Sequence, residues 1–356
     1  MRKTILVTGC AGFIGSHVTQ ALLARGDTVV GLDNFNDYYV PERKRSNVEE
    51  VRHAVDTARL HLVEGDVRRR DLLHGLFARH QFDAVVHLAG MAGVRASMQQ
   101  PHLYFDVNLV GTLNLLDEAR DAGVPNFVFA STSSVYGPTR RIPFEETDPC
   151  DRPLVPYPAS KRAAEMLGFT YHHLYGQSFT ALRFFTVYGP RGRPDMMPHK
   201  LLDSIFFGVP VPVFNNGQVH RDWTYVDDIV AGVVAAADRP LGYEVINLGR
   251  GRPVLLSDFV GLVEERTGRR ALVTPAALPS SDVPYTYADI GKARRLLGYD
   301  PQTLVEDGVS RFWEWYQGAV LRARQPARAG SAQPQPASQD EKDIERFPSP
   351  LPVGEG

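Results

Sequence analysis

From the N-terminus the chain alternates short apolar runs with longer segments whose apolar residues recur at helical spacing. Ile5–Thr8, Val29–Asp33, Leu60–Glu64, Ala84–Leu88, Phe127–Ala130 and Thr180–Arg183 have strand length and are rich in β-branched or aromatic residues. Gly15–Arg25, Leu72–His80, Tyr104–Ala122 and Ser160–Tyr175 carry the helical period between them. Parallel neighbours need a crossover helix, so the alternation predicts an α/β fold with a Rossmann-like doubly wound parallel sheet over residues 1–187. Beyond Tyr188 the punctuators Pro190, Gly192, Pro194, Pro198, Gly208, Pro210, Pro212 and Gly217 cut the chain into short pieces. They predict a smaller C-terminal mixed α/β substrate domain over 188–320, with the chain returning to the sheet around 222–238. Phe312, Trp313, Trp315 and Tyr316 form the apolar stripe of a last helix. Residues 325–356 are rich in Pro, Ala, Ser and Gln and hold too little apolar surface to offset chain entropy, which predicts a disordered tail.

Composition narrows the partners. A net charge of −2 over 356 residues gives no electrostatic footprint for nucleic acid. No apolar stretch reaches the roughly eighteen residues of a membrane span, and the first residues lack a signal-peptide core, so no membrane association and a cytoplasmic location are expected. Cys10 and Cys150 are the two cysteines, too few for a disulfide framework, and no metal is expected.

The chemistry starts at Gly9-Cys10-Ala11-Gly12-Phe13-Ile14-Gly15, which follows a predicted strand and opens a predicted helix. Glycines there let backbone approach a pyrophosphate while the helix N-terminus presents free N–H groups. Asp33 ends the next strand, where a carboxylate accepts ribose hydroxyls and repels a 2′-phosphate, favouring NAD over NADP. A glycine-rich turn of an unrelated α/β fold could share the loop spacing alone. Asp66-Val67 after the third strand could flank the adenine or simply cap a helix. Tyr157 and Lys161 stand four residues apart on one helix face, an arrangement in which an ammonium and a cationic nicotinamide favour a phenolate base. Ser131, Thr132, Ser133 and Ser134 put four hydroxyls at the carboxyl end of a strand, where open α/β sheets bind ligands, and suggest a polyol substrate.

With these motifs the chain resembles the extended short-chain dehydrogenase/reductase family, and within it the nucleotide-sugar epimerases and dehydratases, over about residues 1–317. The resemblance implies Thr132, Tyr157 and Lys161 as the catalytic set. Around the NAD it implies Gly9, Gly12, Phe13, Ile14 and Gly15 of the loop, Asp33 and Asn34, Asp66 and Val67, and Leu88 and Ala89 of the His87-Leu88-Ala89-Gly90 segment. Asn108, Tyr157 and Lys161 complete the cofactor side. Family dehydratases carry an Asp-Glu pair after the threonine, and the decarboxylating relatives carry a Glu nearby. Ser133-Ser134 supply no such acid or base, leaving oxidation and re-reduction at one carbon.

The segment Arg183 to Met196, with Thr186 and Arg193, is similar to the signature of UDP-glucuronate 4-epimerases. That likeness implies a sugar carboxylate held by Thr132, Ser133, Ser134 and Thr186, with Arg193 nearby. It places Arg221 and Arg95 at the diphosphate, Val213, Phe214 and Asn215 at the uracil, and Asp282 at the uridine ribose. The implied function is interconversion of UDP-glucuronate and UDP-galacturonate through a transient 4-keto sugar by a homodimer assembled on 104–122 and 160–175. Alternatives are another UDP-hexose 4-epimerase, acting on UDP-glucose or UDP-N-acetylglucosamine, a UDP-glucuronate decarboxylase, or a non-catalytic NAD-sensing protein.

Overall fold

The computed structural model describes residues 2–321 and 344–346. The first half runs β1 (Thr4–Thr8), α1 (Phe13–Arg25), β2 (Thr28–Asp33), α2 (Pro41–Ala54), β3 (Leu60–Glu64), α3 (Arg70–Arg79), β4 (Ala84–His87), α4 (Val94–Gln99) and α5 (Pro101–Phe105). A π-helical turn (Asp106–Val110) leads into α6 (Gly111–Asp121), followed by β5 (Phe127–Thr132), α7 (Pro156–Tyr175) and β6 (Phe179–Phe184). The second half comprises β7 (Thr186–Tyr188), α8 (Met197–Phe207), β8 (Val211–Phe214), β9 (His220–Arg221), β10 (Trp223–Tyr225), α9 (Val226–Ala237) and β11 (Tyr243–Leu248). β12 (Val254–Leu255), α10 (Leu256–Thr267), β13 (Val273–Ala276), α11 (Gly291–Leu297), α12 (Val305–Tyr316) and β14 (Ile344–Arg346) complete the described chain.

The main sheet has the order β11-β6-β5-β4-β1-β2-β3-β14. Every pairing within it is parallel. Because helices cover both faces, its strands are apolar on both sides. Val7, Val86, Val128 and Leu182 pack with α1 and α9 on one face. Leu6, Val85, Phe127 and Phe129 pack with α3, α6 and α7 on the other. The strand order reverses between β1 and β4, and the carboxyl ends of these two strands open the crevice where such sheets take ligands.

The predicted doubly wound α/β fold is what the structure contains. Within the span 222–238 the chain comes back to the sheet face as α9, packed beside α1. Residues 223–225 form β10, which pairs with β7 in a separate ribbon, and the strand that rejoins the sheet is β11, beside β6. Periodicity passed over Tyr243–Leu248 because six residues between turn signals look like any short segment of the loop-rich half. The predicted last helix is α12, with Phe312 and Tyr316 buried. In the tail expected to be disordered, Ile344–Arg346 pairs with β3. Residues 325–343 and 347–356 lie outside the described residues.

The remaining ribbons build a second layer beside the crevice. β9 pairs antiparallel with β12, and β8 pairs parallel with β13. They bring the Arg221 and Phe214 segments over the carboxyl ends of β1, β4 and β5, so both halves of the chain wall one cavity of about 700 Å³.

Candidate active site

The glycine loop is built for a close approach. Gly9 has φ +70°, and a Cβ there would lie 2.7 Å from Ala89 N, while a Cβ on Gly15 would lie 1.9 Å from Gly9 O. The N-terminus of α1 has Gly12 at its cap, no side-chain hydrogen bond and no acid in its first turn. Backbone donors and the positive helix end therefore face the cavity without an internal anion. Gly9, Gly12, Phe13, Ile14 and Gly15 all line it.

Asp33 ends β2 beside this loop. Its Oδ2 accepts from Ala11 N at 3.1 Å and its Oδ1 from Phe35 N at 2.9 Å, which fixes the carboxylate at the cavity wall. Burial pushes its pKa above the ordinary value, against the opposing charge of Lys44, whose Nζ is 3.8 Å away, and the two N–H donors. Hydroxyl donors from a ribose would favour the anion further. Asn34 Nδ2 donates to Asp66 Oδ2 at 2.9 Å, and Arg68 clamps the same carboxylate. Asn34, Asp66, Val67, Leu88 and Ala89 also line the cavity. Cradle, uncapped helix end and strand-end acid together fit a dinucleotide. Among the described residues, no group of three His, Cys, Asp or Glu is placed to hold a metal.

The Tyr157 and Lys161 side chains come from the first turns of α7, where Pro156 and Pro158 fit because early helical N–H groups need no intrahelical partner. Thr132 caps the turn after β5, its Oγ1 accepting from Ser134 N at 3.2 Å. All three catalytic candidates line the cavity. Burial raises the Tyr157 pKa, and a hydrogen bond with Thr132 and the charge of Arg193 draw it back. The expectation that Lys161 does this is therefore corrected for the protein alone. Lys161 is itself pushed down to about 7 by burial, with Glu165 pulling upward.

Glu165, one turn further along the same helix face, was missed by the sequence reading although its i+4 spacing from Lys161 was the available signal. It is fully buried and accepts from Arg183 Nε at 3.0 Å, Arg183 Nη2 at 2.8 Å and Ser131 Oγ at 2.5 Å. This pair ties α7 to β5 and β6 beneath the catalytic residues. His87 is likewise structural: it bridges the hydroxyls of Thr8 and Thr112 at 2.7 and 3.0 Å, and burial, then Lys161, holds its pKa well below the ordinary value.

At the far end, Arg221 donates to Asp282 Oδ1 at 2.9 Å, and the Arg95 guanidinium lies 4.6 Å from the Phe214 ring centre. Arg95, Thr186, Arg193, Phe214, Arg221 and Asp282 all line the cavity. Five expected contacts do not. Val213 is buried in the core, because strand alternation along β8 sends Pro212 and Phe214 to the cavity and Val213 away from it. Asn215 sits past the end of that strand with φ +47° and donates to Gln218 O at 3.2 Å. Ser133 and Ser134 belong to the 3-10 turn that starts at Thr132, so the wall is made by Ser131 and Thr132 instead. Asn108 is fully buried, its Oδ1 accepting from Met91 N at 2.8 Å and its Nδ2 donating to Met91 O and Ser160 Oγ at 3.0 Å. Its hydrogen bonds position the 90–91 loop and α7. Tyr38 and Lys44 line the cavity and carried no motif signal, and Asp195, inside the Arg183–Met196 segment, also lines it without having been given a role.

Residues 5–249 match the Epimerase family, described as the NAD dependent epimerase/dehydratase family. The chain is 44% identical over 331 residues to UDP-glucuronate 4-epimerase 4 of Arabidopsis thaliana, covering 88% of this chain and 75% of that protein. It is 42% identical over 311 residues to a UDP-glucuronate 4-epimerase of Thermodesulfobacterium geofontis, covering 87% and 95%. Among solved structures, UDP-glucuronic acid 4-epimerase from Bacillus cereus in complex with UDP-glucuronic acid and NAD superposes with a TM-score of 0.82 at 34% identity, over 88% of this chain and 99% of that one. The match spans both the glycine cradle and the Tyr157 helix, and the chain belongs to the NAD dependent epimerase/dehydratase family.

Proposed function

We propose that this chain is a UDP-glucuronate 4-epimerase, interconverting UDP-glucuronate and UDP-galacturonate with NAD held by the Gly9–Gly15 loop, Asp33 and Lys161. The observation that carries the reading is one cavity lined by that loop, by Thr132, Tyr157 and Lys161, and by Thr186, Arg193, Arg221 and Asp282. The likeness to UDP-glucuronate 4-epimerases over most of the chain supports the choice of sugar. Bound NAD supplies a hydride acceptor for C4 and returns the hydride to the other face, without net redox change.

The chain's own residues handle the proton and the charge. Tyr157 Oη takes the proton of the 4-hydroxyl, and the phenolate so required is favoured by the Thr132 hydrogen bond and the Arg193 charge. Lys161, beneath Gly90 and 4.7 Å from the Phe129 ring centre, contributes its ammonium to the cofactor side. Thr186 and Thr132 offer hydroxyls to the sugar carboxylate and Arg193 a guanidinium, which fits a uronate better than a neutral hexose. The 4-keto uronate is a β-keto acid, and holding its carboxylate out of line with the carbonyl π-system suppresses loss of carbon dioxide. Arg221 and Arg95 are placed for the diphosphate, Asp282 for the uridine ribose and Phe214 for the base.

The partner is a second copy. Met166, Phe169, Leu174 and Tyr175 on α7 are 59%, 52%, 60% and 51% exposed, an apolar face that a homodimer through the 104–122 and 160–175 segments would cover. Light scattering should return twice the chain mass, and Phe169→Glu should halve it. A cytoplasmic location suits two free, buried thiols.

Incubation with UDP-glucuronate, followed by proton NMR, should show UDP-galacturonate growing to equilibrium. Finding only UDP-pentose, or no product, refutes the activity. Tyr157→Phe should stop turnover while leaving NAD bound.

A further inference from the structure

Tyr38, Arg193 and Asp195 come from two separate connections, β2 to α2 and β7 to α8, and meet at the Tyr157 end of the cavity. The reaction described above uses Arg193 and assigns no part to the other two. Asp195 accepts from Arg193 Nε at 2.9 Å and from Arg193 Nη2 at 2.8 Å. Tyr38 Oη donates to Asp195 Oδ2 at 3.2 Å, and the Arg193 guanidinium lies 5.5 Å from the Tyr38 ring centre. Gly93, with φ +103°, makes room for this hydroxyl, since a Cβ there would stand 2.2 Å from Tyr38 Oη. Against the effect of its own partial burial, the hydrogen bonds and charge of Arg193 hold the Asp195 pKa below the ordinary carboxylate value. One edge of the guanidinium fork is therefore taken, and its charge offset, before a sugar arrives.

That arrangement matters for a catalyst that must turn its substrate. Between the two hydride transfers the sugar has to present its opposite face, so its carboxylate must leave one set of donors and meet them again in another orientation. A partly buried guanidinium without a counter-charge would grip a carboxylate with charge-assisted, paired hydrogen bonds and resist that motion. We propose, on the basis of the epimerase reading, that Asp195 is the positioning residue that ties up the Nε edge of Arg193, tuning the grip on the sugar carboxylate so that a uronate is selected yet free to turn. Tyr38 holds Asp195 in that post from the other half of the cavity wall.

The test is Asp195→Asn, which keeps the size and removes the charge. The Asp195 side chain is 38% exposed and lies outside the buried apolar core. Calorimetric binding of UDP-glucuronate and of UDP-glucose, which lacks the carboxylate, reads the grip directly, and steady-state kinetics read the turning. UDP-glucuronate affinity should rise about tenfold with UDP-glucose affinity unchanged, and kcat for epimerisation should fall about tenfold as KM falls. Asp195→Glu should restore both toward the parent values. An unchanged ratio of the two affinities overturns the proposal, as does a parallel loss of both, which is what simple support of the loop predicts. The binding arm needs no turnover. A parent protein that binds both ligands but makes no UDP-galacturonate refutes the activity separately from the role of Asp195.

Discussion

Lys161 offers a test of the site that does not depend on substrate. It is 4% exposed, and burial pushes its pKa from 10.5 down to about 7 in the cofactor-free protein. Below pH 7 the lysine is charged both folded and unfolded, and the fold bears the full desolvation of the ammonium. Between about 7 and 10.5 the folded lysine is neutral while the unfolded one is still protonated, so the penalty shrinks with each unit of pH. The gap between the two values corresponds to a penalty of roughly 5 kcal/mol at pH 6, falling to roughly 2 kcal/mol at pH 9. Lys161→Met keeps the length and the apolar stem while removing the charge. Urea denaturation of cofactor-free protein should therefore show the variant more stable than the parent by several kcal/mol at pH 6, with the difference at least halved at pH 9. A difference that stays constant across that range would refute the claim that a desolvated ammonium sits at this position, and a variant less stable at pH 6 would reverse its sign. The variant should also lose epimerisation, which identifies the penalty as one kept for function.

Two further outcomes follow from the same geometry. Gly15→Ala forces a methyl to within 1.9 Å of Gly9 O, so the loop must open and NAD should bind at least about tenfold more weakly, measured by fluorescence titration, with little change in far-ultraviolet dichroism. Glu165→Gln leaves the guanidinium of Arg183, only 1% exposed, without its counter-charge, and should reduce stability by about 3–5 kcal/mol in urea, whereas Arg162→Gln on the outer side of the same carboxylate should cost about 1 kcal/mol or less.

What could be read in the sequence, and what could not, divides along physical lines. The glycine loop and Asp33 were legible because their roles are backbone roles: a turn that tolerates no Cβ and a carboxylate at a strand end are set by local chain geometry. The Tyr157 and Lys161 pair was legible because helical periodicity fixes which residues share a face. Ser133, Ser134, Val213 and Asn215 were expected at the substrate but do not line the cavity, because a motif names a segment without saying which of its residues face inward. For Val213 the alternation of β8 held the answer, once Phe214 was assigned to the cavity. Asn108 was assigned to the cofactor side, whereas its carboxamide bonds Met91 and Ser160, seventeen and fifty-two residues away along the chain, a closure that periodicity does not record. β11 escaped for the same reason, since its identity as a sheet strand depends on a neighbour, β6, that lies about sixty residues earlier in the chain.

The residues that escaped share a function. Glu165, Lys44 and Asp195 are charged groups whose partners are other charged groups, and each partner is a residue the motifs did name or a neighbour of one: Lys161 and Arg183, Asp33, Arg193. Motifs mark the groups that face ligands, and these groups are held by counter-charges that need not face them. For buried groups the counter-charge opposes the effect of desolvation. Burial pushes Lys161 toward its neutral form, Asp33 toward its protonated form and Tyr157 away from the phenolate, against the chemistry the motif promises. Glu165, Lys44 and the Thr132–Arg193 pair each oppose that drift. They do so only in part, so the remaining electrostatic demand is left to be met by ligand hydroxyls and charges. A site arranged in this way is most ionised, and hence most competent, when cofactor and sugar are both in place.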